Sequence, residues 1–292
     1  ELVTSDPYVT VTVPNQSYQA IGADRSAEPE EQFTVSVDEL FFPGSKINVE
    51  LLLSDGEEYN AVVPFQAGPV GEVSAGDPYG PDDFGYICFD SNDDEWEDHP
   101  VFNWIEISSD AVDADIPGTK IEFEFPERPE AWDVWNATEW VELPFTFKYY
   151  GRDYDTISIC TDGWISMGAD GVENRSPEDW RIPGPGGADA ILNVYHTDLE
   201  TSDPSLSGVY YHYLEEESKF IVEWYGHDFR GQTQLQQHLT FQVVLYNPSV
   251  YSTPTGDGEI EFHYKVFGEM GALEEVRSPP SIGIRNLDGS DG

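Results

Sequence analysis

The stretch from Leu143 to Gly168, LPFTFKYYGRDYDTISICTDGWISMG, decides the fold class. Phe145, Phe147 and Tyr149 recur at every second position, a polar Gly151-Arg152-Asp153 turn intervenes, and Ile157 and Ile159 resume the period. Side chains on a strand point alternately to opposite faces, so this spacing predicts two strands joined by a short turn, with one face buried. Asp162-Gly163 supplies a further tight turn, and Trp164 to Met167 begins a third extended run. The segment is the meander of an all-β domain.

Working outward, the same signature recurs along the chain. Tyr8–Val13, Gln32–Val37, Lys46–Leu53 and Tyr59–Phe65 are short β-rich runs separated by Pro, Gly and Asp turns. They predict an immunoglobulin-like sandwich over residues 1–68, with Val9, Val11, Val13, Phe33, Val35 and Val37 in its core. Residues 69–81 are rich in Gly and Pro and lack periodicity, which marks a linker. A larger sandwich is predicted over 82–292. Its strands are Tyr86–Phe89, Val101–Ile107, Lys120–Phe125, the meander, Ala190–His196, two hairpins (Gly208–Leu214 with Lys219–Tyr225, Leu239–Tyr246 with Glu259–Val266) and Ser281–Arg285. No window shows a period of 3.6, so two tandem antiparallel β-sandwiches with little or no helix are expected.

The charge constrains partners. Thirteen basic residues, five of them lysines, stand against 57 acidic ones, for a net charge of −44. Such a surface repels phosphate backbones and anionic lipid, which argues against nucleic acid and against charge-driven membrane docking. It also repels itself, so screening by salt or bound Ca²⁺ is expected to support the fold. No apolar run is long enough to span a bilayer. Cys88 and Cys160 are too few for a disulfide scaffold or a multi-cysteine zinc site, and form either one bridge or two buried thiols. The chain begins at Glu-Leu-Val with neither initiator Met nor signal peptide, as a mature or excised piece of something longer would.

The successive pieces GYICFDSNDDEWEDHPVFNWIEI, ELPFTFKYYGRDYDTISICTDGWISMG, NVYHTDLETSDPSLSGVYYHY, FIVEWYGHDF and TFQVVLYNPSVYSTPTGDGEIEFHY carry a resemblance. Together they resemble the non-catalytic β-sandwich region of secreted bacterial proteins, namely gingipain-like cysteine peptidases and other chains exported by the type IX pathway. The shorter set GVYY, VEW, FQVVLY and the YG-containing hairpin is similar to the NIDO domain of extracellular adhesive proteins. The resemblance spans roughly residues 77–292. It implies an extracellular or cell-surface setting and transfers no catalytic residue.

Three groups of residues are candidates for chemistry. Asp90, Asn92, Asp93, Asp94 and Asp98 lie on one acidic loop, and a hard cation wants six to eight oxygens of this kind. The loop is not an EF-hand, since its sixth position is Glu95 and its twelfth Val101. Asp198, Glu200 and Asp203 form a second candidate Ca²⁺ set, and Asp110, Asp113 and Asp115 a third. Trp132, Trp135 and Trp140 are candidate sugar platforms. Paired carboxylates invite a glycoside hydrolase reading, but among 57 acids any chance pair carries little information. The six histidines are scattered, His212 and His263 fall among strand aromatics as sheet-surface groups, and neither cysteine sits in an activating motif.

The expected function is therefore non-catalytic. The chain is read as an extracellular structural or interaction module that contacts other protein domains or copies of itself, in a surface layer or filament stabilised by calcium. Carbohydrate binding, with glycans as partners, is the first alternative and glycoside hydrolysis the second.

Overall fold

The computed structural model describes residues 1–6, 9–19, 21, 26–38, 47–54, 60–67, 78–94, 96–111, 116–124, 137–169, 182, 188–200, 207–229, 238–266 and 280–292. Among these there is no helix, so none that is long and apolar enough to cross a membrane, and the strands form several antiparallel sheets. The chain divides into two compact units, one of residues 1–81 with 85–100 and one of 82–84 with 101–292. The expected linker falls mostly outside the described residues.

In the first unit β1 (Leu2–Val3), β4 (Ile47–Ser54) and β5 (Asn60–Ala67) form a three-stranded sheet, and β2 (Val9–Val13) pairs with β3 (Thr34–Val37). Leu2, Val9, Ile47 and Val49 are the buried core, with Val11, Phe33 and Leu51 packed against it. This corrects the expected core: Val35 and Val37 are exposed, because among the described residues β3 pairs only with β2 and turns every residue outward. Tyr86–Phe89 is not a strand either; Cys88 makes a single antiparallel bridge to Tyr79.

The second unit is a β-sandwich. One sheet has the order β16 (Ser281–Ile284), β10 (Ile191–His196), β9 (Trp164–Met167), β8 (Arg152–Cys160) and β7 (Thr138–Tyr149). The other runs β15 (Ile260–Val266), β14 (Leu239–Tyr246), β13 (Lys219–Phe229), β12 (Gly208–Leu214) and β6 (Thr119–Lys120), with β11 (Leu199–Glu200) on β13. Their inner faces meet through aromatic rings. Trp224 stacks on Phe241 at 5.1 Å, Tyr195 packs against Phe241 at 5.5 Å, and the Trp224 Nε1–H donates to Cys160 O on the opposite sheet.

The meander forms with one shift. Tyr149 pairs with Arg152, so the turn is Tyr150-Gly151 and both Arg152 and Asp153 belong to β8. Two-residue hairpin turns of the type that follows the strand twist need positive φ at both positions. Tyr150 has φ 46° and Gly151 φ 71°. The second turn places Gly163 at φ 79°, where a Cβ would lie 2.4 Å from Tyr195 O.

Residues 101–108 were expected to include a strand and do not. The Ile107 N–H is taken by the Glu223 carboxyl rather than by a ladder partner, while Glu106 O and Ile107 O accept from Ile116 and Gly118 within the same strap. Ile105, Ile107 and Ile116 pack onto the outer face of the six-stranded sheet, against Tyr210, Ile221 and Val244. That cover is why β14 is buried along its whole length instead of on alternate residues. The strand expected over 120–125 is only Thr119–Lys120.

Candidate functional site

Under the strap the outer sheet face carries a polar row. Lys120, Tyr210, Glu223, Gln242 and His263 are successive cross-strand neighbours from β6 to β15. Glu223 and Glu106 are both almost completely buried. Glu106 accepts hydrogen bonds from Lys265 Nζ (2.8 Å), Trp104 Nε1 (3.1 Å) and Ser108 N (3.1 Å). Burial alone would raise its pKa, but the hydrogen bonds from Glu223, Lys265 and Trp104 outweigh that and hold it below the usual carboxylate range. Glu223 goes the other way, to about 9, first because burial penalises its charge and then because Glu106 is beside it. Its Oε1 receives no hydrogen bond among the described residues. Glu223 stays protonated where Glu106 is ionised, so the pair holds one proton between two carboxyls.

This arrangement has the pKa separation of an acid-base pair but not its access. Glycosidase carboxyls stand roughly 5–10 Å apart across a cleft, whereas Glu106 and Glu223 are within hydrogen-bonding reach of each other beneath Ile107. The pair fastens the strap. Asp110 does the same further along, accepting from Lys120 (2.8 Å) and from the Tyr210 hydroxyl. His263, expected on the sheet surface, is buried between Glu261 at 3.0 Å and the exposed Phe102 ring at 5.9 Å.

A cleft of about 460 Å³ opens elsewhere in the same unit, at the tip of the β7–β8 hairpin. Phe84, Tyr149, Tyr150 and Tyr154 give it aromatic walls, and residues 286–291 close one side. Tyr150 donates to Asp82 Oδ2 at 2.6 Å, its ring lying 5.2 Å from Phe84 and 4.8 Å from Tyr149. The Asp291 carboxylate accepts from Asp83 N and Phe84 N. Its pKa is raised, first by burial and also by Asp82 and Asp83 nearby. Three non-glycine residues among those described have left-handed backbone, and two of them, Tyr150 and Ala190, line this cleft. Such strain costs about 1–3 kcal/mol per residue and persists where surrounding structure enforces it.

The expected cation loop lies in the first unit. Asp90 N donates to Asp93 Oδ2 (2.6 Å), and Asn92 N donates to Asp90 Oδ1 (2.7 Å). Asp93 is buried and its Oδ1 has no donor among the described residues. Among the described residues no three His, Cys, Asp or Glu side chains converge as a metal site would require. Asp94 and Asp98 lie in the loop's turns, Asp198 precedes β11, and Glu200 pairs with Asp228. Asp203, Asp113, Asp115, Trp132 and Trp135 lie outside the described residues. Trp140 is on β7 and 56% exposed. Cys88 and Cys160 are free thiols, Cys88 exposed and Cys160 buried.

Glu223 escaped the sequence reading although it left a trace there, being the one acid inside the apolar run Phe220 to Tyr225. Arg152 falls in the turn expected from sequence, and no sequence signal marks it or Tyr154 as part of a site. A family model described as NIDO related matches residues 133–291, more than half of the chain and within the second unit. No curated protein and no solved structure matches the chain.

Proposed function

The chain belongs to the NIDO-related family, and on that premise we propose that it is a non-catalytic extracellular module of a larger secreted or surface protein. It works by contact with other domains or with copies of itself. The observation that carries this reading is the closed state of the Glu106–Glu223 pair: the one strongly perturbed acid pair among the described residues is spent on holding a strap rather than facing a cleft. The finer likeness to gingipain-like and type IX-exported chains belongs to the same proposal and rests on the strand succession quoted above.

Calcium is the proposed stabiliser. With 57 acidic residues, divalent screening lowers self-repulsion whether or not one loop captures the ion. Sedimentation velocity at fixed protein concentration, in Ca²⁺ and then in chelator at low salt, tests assembly; the reading predicts larger particles in Ca²⁺. A monomer of unchanged size and stability in both buffers sinks the assembly and calcium parts, and hydrolytic turnover abolished by Glu106→Gln sinks the non-catalytic part. Carbohydrate binding is the second reading, favoured by the exposed Trp140 ring on edge strand β7.

A further inference from the structure

We propose that the cleft at the β7–β8 hairpin tip binds a neutral saccharide, one or two pyranose units long, through the Arg152–Tyr154 face of β8. The cleft's polar groups divide into those already used and those left over. Asn286, Asp288 and Ser290 are bound to one another, Asp291 holds the backbone of Asp83 and Phe84, and the Tyr150 hydroxyl holds Asp82. Left over are the Arg152 guanidinium, the Tyr154 hydroxyl and the Asp83 carboxylate. None of these three side-chain groups makes a hydrogen bond or an ion pair among the described residues. An unpaired arginine is notable in a chain with 57 acids and 13 bases.

Arg152 and Tyr154 are two apart on one strand and so share a face. The free set offers fixed donors (Arg152), a fixed acceptor (Asp83) and one group that does both (Tyr154). A sugar hydroxyl also donates and accepts, and the C–H face of a pyranose matches the apolar rings of Phe84 and Tyr150. An anion would meet Asp83, Asp288 and Asp291, and a cation would meet the guanidinium. A ligand without net charge uses both signs. The volume of about 460 Å³ lies in the range of small-ligand sites and admits one or two rings. The left-handed Tyr150 and Ala190 set the cleft wall in place before a ligand arrives.

This inference rests on the carbohydrate reading above and moves it from Trp140 to the tip of the β7–β8 hairpin. Saturation-transfer NMR on the intact chain tests it, with cellobiose, maltose and diacetylchitobiose as neutral probes and glucuronate and tetramethylammonium as charged ones. At least one neutral disaccharide is expected to bind in the millimolar range or tighter. Affinity should fall roughly tenfold or more in Arg152→Ala, which removes a charged hydrogen-bond donor, and in Tyr154→Ala. Arg152 is exposed, so Arg152→Ala should keep the unfolding midpoint of the wild type. Binding lost in Trp140→Ala but kept in Arg152→Ala and Tyr154→Ala overturns the cleft and leaves the carbohydrate reading standing. No binding of any neutral probe, or binding of a charged probe only, overturns both.

Discussion

Replacing Glu223 by Gln should flatten the pH dependence of stability. In the folded chain Glu223 keeps its proton up to about pH 9, whereas unfolded it releases it near the usual 4.5. Between those limits the folded state binds one more proton than the unfolded state, so each rise in pH favours unfolding. Below the lower limit both states are protonated and the contribution is constant; above the upper one both are ionised and it is constant again. One proton corresponds to about 1.4 kcal/mol per pH unit, or roughly 3 kcal/mol between about pH 6 and about pH 8. The amide of Glu223→Gln donates to Glu106 at every pH and its oxygen still accepts from Ile107 N. Urea midpoints for both proteins at constant ionic strength provide the comparison. The wild type should lose stability relative to the variant as pH rises, by an amount of that order. Other groups titrate too, so the difference between the two curves is the quantity to read. Parallel curves would show that Glu223 is not protonated in the folded chain and that the shared-proton account of the strap is wrong.

Four further outcomes follow from the same contacts. Glu106→Gln keeps one acceptor oxygen but sets an NH2 donor against the donors of Lys265, Trp104 and Ser108, and it removes the negative charge opposite Lys265 of β15; it should cost roughly 3–5 kcal/mol by denaturant unfolding. Gly163→Ala forces a Cβ to within 2.4 Å of Tyr195 O at positive φ and should destabilise by about 2–4 kcal/mol, with a fall in thermal midpoint as readout. Trp224→Phe breaks the hydrogen bond to Cys160 O between the sheets and opens a void, and about 2–4 kcal/mol should be lost in a urea titration. Burial pushes the Cys160 thiol up, and local shielding with the Asp90 and Asp93 carboxylates raises Cys88 less. A disulfide reagent at neutral pH should therefore label Cys88 slowly and Cys160 only on denaturation, by mass spectrometry; rapid labelling of Cys160 in the native chain would contradict its burial.

Local periodicity determined the strands. Phe145, Phe147 and Tyr149, then Ile157 and Ile159, alternate in a pattern that only a pleated strand satisfies, and the glycines at 151 and 163 stand where the turns need positive φ. Both hairpins of the second unit were legible for the same reason, because paired strands with a short polar turn are a near-neighbour property. What covers a face is not such a property. Whether β14 buries one side or both depends on Ile105, Ile107 and Ile116 packing over it, and whether Val35 is core or surface depends on which strand lies beside β3. Only the tertiary structure decided that Glu106 and Glu223, 117 positions apart, share a proton, and that Arg152 and Asp83 face one cleft. Sequence spacing encodes the direction a side chain takes from its own backbone; its neighbours across the fold are set by how the sheets and loops pack.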